Sequence, residues 1–256
     1  VIHRAHDYRF LIARWRSVAR AAGTPLRTLA RAGQHAVHYL QTKALSQSGG
    51  IYISAGIHGD EPAATEALIE WAEKNVRDLR RMPLLLLPCM NPWGLTKNSR
   101  LNEEGLDLNR LFHRDDQPVI HAVKKLVAPY QFTAALMLHE DYDGQGFYLY
   151  EVERVKPFWG EALLAAARRH IAIEGRDRID GRKATRGIHR RRIDSRRFAR
   201  IGYPEAIWFH LHHAARSLTI ESPSEFSLEA RVRAQVAVIE EFVRLAGGLA
   251  SPGKSR

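Results

Sequence analysis

Residues 51–71 read IYISAGIHGDEPAATEALIEW. An apolar run rich in β-branched residues enters a glycine-flanked loop. A proline then opens a stretch with Ala64, Ala67, Leu68 and Trp71 at spacings of three and four. The pattern predicts a strand over 51–56, a loop, and a helix from Pro62 to about Leu79. Proline suits the first helical position, where its missing N–H would have had no partner. His58 and Glu61 stand at the corner between strand and helix. Two readings fit them: a loop histidine beside a helix-capping carboxylate, or two ligands of one metal ion.

The same alternation continues in both directions. Tyr8, Leu11, Ile12, Trp15, Val18 and Ala19 mark an amphipathic helix over 8–22, and VHYL (37–40) is strand-like. LLLLP (84–88) predicts a buried strand, NPWG (91–94) a turn, and 95–116 an ordered but irregular excursion. A short helix is expected over 118–128, strands at AALML (134–138) and GFYLYE (146–151), and a helix over 158–173. SLTIE (217–221) is a further strand, and 226–246 a final helix with Leu228, Val232, Val236, Ile239 and Val243 on one stripe. Trp15 and Trp71 lie on apolar stripes and read as core, while Glu66, Glu70 and Glu73 read as the solvated side of their helix. Residues 247–256 read as a frayed tail.

Strands alternating with helices predict an α/β fold with a mixed central sheet covered on both faces, three layers in section. A chain of 256 residues, 45% hydrophobic and 26% charged, suits one catalytic domain with a substantial core. The apolar runs are too short to span a bilayer, so no membrane partner is expected. Residues 1–16 lack the apolar core of a leader, although the start at Val1 leaves an upstream segment open. Cys89 is the one cysteine, which rules out an intrachain disulfide, suits a buried small hydrophobe and is compatible with a cytoplasmic location. The net charge of +11 raises a nucleic-acid hypothesis, but much of the excess is local to RDRIDGRKATRGIHRRRIDSRRFAR (176–200). No nucleic-acid-binding motif accompanies it, so a solvated basic loop, or one attracting an acidic substrate, is expected instead.

In α/β sheets, sites form in the loops beyond the carboxyl ends of strands. His58 follows one strand end, His139 in MLHEDYDG ends a second, and Glu221 in LTIESPSEF ends a third. Between them NPWGLTKNSRLNEEGLDLNRLF (91–112) carries Arg100, Asn109 and Arg110 among apolar anchors. With 13 histidines an isolated H-x-x-E is unremarkable, so the ordered set carries the argument.

H-G-D-E, N-P-x-G, S-R-x-N-x-x-G-x-D-L-N-R, L-H and T-I-E-S-P follow one another over about residues 50–245. In order and approximate spacing the set resembles the zinc carboxypeptidases, the carboxypeptidase A-like metallopeptidases with a phosphorylase/hydrolase-like fold. The resemblance implies one zinc ion held by His58, Glu61 and His139. It further implies that Glu221 is the general base acting on zinc-bound water, that Arg100 stabilises the oxyanion, and that Asn109 and Arg110 grip the substrate's terminal carboxylate. These residue types suit the chemistry: zinc brings the pKa of bound water towards about 7, and a guanidinium fits a carboxylate at two points.

The sequence departs from that family in three places. Glu140 and Asp141 follow the third ligand where a serine or threonine is usual; they read as orienting His139, as solvated, or as binding a cationic group on the substrate. Leu111-Phe112 replaces an asparagine-containing ending, which affects the side-chain pocket. Tyr203 in GYPEAIWF is a vague counterpart of the family's mobile tyrosine. His210, His212 and His213 have no acidic partner at ligand spacing and read as helix-surface or packing histidines. The expected activity is release of a C-terminal residue from a peptide. An N-acyl amino acid deacylase resembling aspartoacylase and succinylglutamate desuccinylase, a cell-wall peptide amidase, and a catalytically inactive basic binding module are the alternatives. The expected partner is a peptide or N-acyl amino acid with a free carboxylate.

Overall fold

Four-residue apolar runs buried on both faces organise the fold seen in a computed structural model of the chain. The structure describes residues 2–153, 155–179, 181–190, 193 and 202–247. At its centre β3 (Ile51–Ser54), β4 (Leu84–Leu87), β5 (Ala134–Asp141) and β10 (Arg216–Pro223) run parallel in the order β4-β3-β5-β10. On one flank β2 (His35–Gln41) and β1 (Leu26–Ala32) add antiparallel. On the other, β6 (Tyr148–Glu153) adds antiparallel to β10, and β9 (Ile188–Arg190) parallel to β6. The hairpin of β7 (Arg178–Ile179) and β8 (Arg182–Lys183) stands apart from this eight-stranded sheet.

Central parallel strands must be apolar on both faces, because each face meets helices. Ile51, Ile53, Leu84, Leu86, Leu136, Leu138, Leu218 and Ile220 point to one side. There they meet α1 (Tyr8–Ala21), α2 (Pro62–Lys74), α5 (Gly160–Ala167) and α7 (Leu228–Leu245) through Trp15, Trp71, Leu163 and Phe242. Tyr52, Leu85, Leu87, Ala135 and Met137 point the other way, towards α4 (Pro118–Val127) and α6 (Glu205–His212). The expected three-layer α/β/α section with a mixed sheet is the one observed. No helix among the described residues is long and apolar enough to cross a membrane.

Several local expectations need correction. NPWG opens a helix, α3 (Pro92–Lys97): the Asn91 side chain accepts the Gly94 N–H at 2.9 Å and Pro92 takes the first helical position, so a capping signal had the look of a turn. The helix expected to Leu79 ends at Lys74, and that expected over 158–173 contracts to α5. β1 and β9 carry no clear alternation and were not anticipated; the basic segment places β7, β8 and β9 within residues 178–190. The expected tail beyond Gly247, like most of 191–201, lies outside the described residues. Cys89, Trp15 and Trp71 are buried as expected.

Glu66, Glu70 and Glu73 do not form a solvated face. Helix α1 lies across that side of α2, and Arg14 places Nη1 2.6 Å from Glu66 Oε2 while Nε and Nη2 reach Glu73 at 2.8 and 2.7 Å. His3 Nε2 lies 2.9 Å from Glu70, which also pairs with Lys74 at 2.8 Å. Removing one member of a buried ion pair strands the other charge. Arg14→Met is therefore expected to lower stability by roughly 3 kcal/mol in urea unfolding, with much of the loss recovered in the Arg14→Met/Glu66→Met double variant.

Candidate metal centre and substrate cavity

The loop after β3 is knitted to the loop after β4: Ala55 N–H donates to Leu87 O, Met90 N–H to Ala55 O and Asn91 N–H to Gly56 O. Gly59 then passes directly over α3, where a Cβ would stand 1.9 Å from the Gly94 carbonyl carbon. Only a residue without a side chain permits that approach, and it fixes His58 against the segment carrying Arg100. Glu61 occupies the cap position of α2, yet its carboxylate makes no capping hydrogen bond. The helix-capping reading of this residue therefore fails.

The Glu61 carboxylate instead lies between two imidazoles. Oε1 is 2.5 Å from His58 Nδ1 and Oε2 is 2.8 Å from His139 Nδ1, with the ring centroids 5.0 Å apart. One ligand atom from each of the three residues lies within 4.8 Å of the others, and all three are buried. Two imidazole nitrogens and a carboxylate are the donor set of a catalytic zinc site that keeps a position open. Among the described residues this is the group of imidazoles and carboxylates close enough to hold one ion.

Burial acts to lower the pKa of His58, but Glu61 and Asp107 overcome it and raise the value to about 9. Burial likewise opposes protonation of His139, and Glu61 raises it nonetheless. Burial pushes Glu61 upward, yet the two imidazoles hold its carboxyl well below the usual range. The Glu61 carboxylate thus favours the protonated form of both imidazoles, so a metal ion would compete with protons for them.

Asp107, which lay within the D-L-N-R motif but drew no role from sequence, supports this cluster. Its Oδ1 is 3.1 Å from His58 Nε2 and accepts the Asn109 N–H at 2.9 Å; its Oδ2 accepts from Arg100 Nε at 3.1 Å. It therefore aligns His58, a candidate ligand, the guanidinium of Arg100 and the short turn Leu108–Arg110 at once. Arg100 Nη1 stands 3.2 Å from His58 Nδ1 and 3.5 Å from Glu61 Oε1.

His139 and Glu221 are directly paired across β5 and β10, on the face that meets α4 and α6. Desolvation at the cavity wall raises the pKa of Glu221 well above that of an ordinary glutamate; His139 opposes this, and Glu61 and Asp141 add to it. Asn109 Oδ1 accepts the Glu205 N–H at 2.8 Å, which turns the Asn109 amide so that its Nδ2 is the end left for a ligand. Glu205 itself is buried and accepts from the Tyr52 hydroxyl at 2.5 Å. Arg110 contacts the Asn109 carbonyl at 2.9 Å. All seven expected site residues line one cavity of about 370 Å³. Tyr148, Tyr150, Thr219 and Arg182 also line it and were not anticipated.

The remaining expectations divide. Glu140 does not orient His139, because it lies on the opposite face of β5. One oxygen accepts the Ala63 N–H at 2.6 Å, the other pairs with Arg231, and Ser222 and Gln235 complete a bridge back to the His139 carbonyl. Burial raises Glu140 to about 7 despite Arg231. Asp141 does line the cavity and accepts the Tyr148 hydroxyl at 2.9 Å. Tyr203 does not line it; it packs on His113 with centroids 5.9 Å apart. His213 bonds to the Tyr130 carbonyl at 2.9 Å and packs at a tilt against Trp208, in keeping with a packing role.

Residues 48–152 match the family model "Succinylglutamate desuccinylase/Aspartoacylase catalytic domain". Comparison with curated protein sequences gives no match. Among solved structures, a candidate metallopeptidase from Shewanella denitrificans OS217 is similar with a TM-score of 0.83 and 22% identity, over 95% of this chain and 92% of that one. A metallo-carboxypeptidase from Burkholderia cenocepacia gives 0.67 and 15%, over 93% of this chain and 68% of that one. One from Pseudomonas aeruginosa, in complex with (2-guanidinoethylmercapto)succinic acid, gives 0.63 and 18%, over 92% and 68%. The carboxypeptidase-like fold expected from the motifs is thereby borne out.

Two measurements test the cluster. Because His58 holds its proton up to about pH 9, zinc affinity in chelator competition should strengthen as pH rises from 6 to 8, on the order of tenfold per pH unit for each imidazolium displaced. Asp107→Asn should weaken zinc binding by roughly 10- to 100-fold, the usual range for losing a partner that orients a ligand.

Proposed function

We propose that this chain is a zinc-dependent hydrolase that releases a C-terminal residue from a peptide, a metallocarboxypeptidase. The observation that carries the reading is the shared cavity, which holds the His58–Glu61–His139 cluster, the carboxylate of Glu221, and the guanidinium of Arg110 at a position open to substrate. A zinc ion held by the cluster would supply Lewis-acid chemistry, activating water near neutral pH and polarising the scissile carbonyl.

The chain's own residues account for the rest. Arg110 and the Asn109 amide hold the terminal carboxylate, which fixes the scissile bond against the cluster. Glu221, which shares the cavity with the cluster, takes a proton from the attacking water and delivers it to the departing amine. Arg100, held by Asp107, faces the developing oxyanion, an interaction whose loss typically costs about 3 kcal/mol of barrier.

A second reading, hydrolysis of an N-acyl amino acid, draws support from the family-model match, which spans all three cluster residues. It uses the same machinery and differs in what lies on the acyl side of the bond. An inactive basic module is disfavoured because the cluster, Arg100 and Glu221 are all present in one cavity.

The zinc-loaded protein should release terminal residues from a C-terminal peptide ladder. Glu221→Gln should lower kcat by about 10² to 10⁴-fold while leaving zinc bound, and Arg110→Ala should act mainly on KM. Turnover by Glu221→Gln at the wild-type rate would remove the proton-transfer assignment. Release from acetyl- or succinyl-amino acids alone would replace the peptidase reading by the deacylase one.

A further inference from the structure

We propose that Glu140 is a positioning residue for the metal centre: it supplies helix α2 with the cap that Glu61 gives up in turning towards the two imidazoles, and thereby fixes Glu61 relative to His139. The inference rests on the reading of the cluster as a metal site and names what sets its spacing from behind the sheet. It gives a role to the residue that departs from the carboxypeptidase pattern after His139.

The first N–H groups of a helix have no partner within the helix and are usually met by the side chain of the cap residue. In α2 the cap residue is Glu61, and its two carboxylate oxygens go instead to His58 Nδ1 and His139 Nδ1. Pro62 has no N–H to satisfy. The next donor, the Ala63 N–H, belongs to a fully buried residue out of reach of solvent. It donates to Glu140 Oε1 at 2.6 Å. An acidic acceptor also suits the positive end of the helix dipole.

The place from which this acceptor comes is what couples it to the centre. Glu140 follows His139 on β5, and Ala63 stands two residues after Glu61. One hydrogen bond therefore ties the backbone of one candidate ligand to that of another, on the face of β5 turned away from the cavity. The tie is useful only if the acceptor is itself held. Glu140 Oε2 pairs with Arg231 of α7 and stands 3.4 Å from Ser222 Oγ, its direct neighbour in the β5–β10 register. Gln235 Nε2, one turn further along α7, reaches Ser222 Oγ at 2.8 Å and the His139 carbonyl at 3.0 Å. β5, β10 and α7 thus close around the start of α2. Glu61 is free to serve a metal because a second carboxylate has taken over its usual duty.

A brace that only stabilised the fold would leave the metal affinity of the folded protein unchanged, and two double variants separate the readings. Glu140→Met/Arg231→Met replaces the buried pair by apolar groups of similar volume, so that no charge is stranded. Glu140→Gln/Arg231→Met also removes the ion pair but keeps an oxygen for the Ala63 N–H. On the full chain, zinc affinity is measured by chelator competition, ligand geometry by the absorption spectrum of the cobalt(II)-substituted protein, and folding by urea unfolding. The expected result is a loss of zinc affinity of roughly 10- to 100-fold in Glu140→Met/Arg231→Met with an altered cobalt spectrum. Glu140→Gln/Arg231→Met should recover to within about threefold of the wild type. Zinc affinity within about threefold of the wild type in both double variants, or equally weakened in both, would overturn the proposal.

A measurement on the wild type serves even where a variant does not fold. By reciprocity of coupling, zinc should slow deuterium exchange of the Ala63 amide, on the order of tenfold relative to amides in the middle of α2. Exchange at Ala63 that zinc leaves unchanged counts against the tie. A wild-type chain that binds neither zinc nor cobalt removes the metal reading itself, a failure distinct from that of Glu140.

Discussion

A β-strand sends alternate side chains to opposite faces, and in this sheet that parity is coupled to a common direction of travel. β3, β5 and β10 are parallel neighbours, so their carboxyl ends reach the same edge together. At that edge the residues facing α4 and α6 are His139 and Glu221, while Glu140 and Ser222 face α2 and α7. One side therefore receives the imidazole and the carboxylate to which the proposed function gives metal binding and proton transfer. The other receives a buried brace, in which Glu140 joins the first turn of α2 to β5 and Arg231 of α7 compensates the charge. The brace matters because Glu61 sits just before the amide that Glu140 holds. Chemistry and support are thus separated by the thickness of a single strand.

This parity explains what could be read from the sequence and what could not. His58, Glu61, His139 and Glu221 were legible because each follows an apolar strand of clear length. Strand ends in α/β sheets are where sites assemble. Glu140 was also legible in principle: counting alternate positions from Leu136 and Leu138 places it with them, away from His139. Asp107 gave a weaker signal, since an aspartate beginning a short turn commonly serves only its own backbone. Here it does that and reaches His58 as well.

The misreadings share one cause, tertiary contacts added to a face that local pattern treats as free. An amphipathic helix is assumed to have one buried side, but α2 lies between the sheet, α1 and α7, and eleven of its thirteen residues are buried. Its glutamates accordingly meet Arg14 and His3 instead of water. NPWG failed for a different reason, because the residues that favour a turn are those that favour a helix start. Arg182 could not have been singled out within a segment dense in arginines; only the packing of its hairpin on Tyr148 distinguishes it.

The groups that line the cavity stand on scaffolds of unequal stiffness. The distance between His139 and Glu221 is set by backbone pairing of two interior strands, and the distance between His58 and Arg100 by the bare contact of Gly59 with Gly94. Neither spacing can drift without unmaking the sheet or inserting atoms where none fit. The hairpin carrying Arg182 is a two-residue ladder outside that sheet. Substitution within that hairpin can therefore reshape one wall of the cavity while the spacing of the buried cluster beneath it stays as it is.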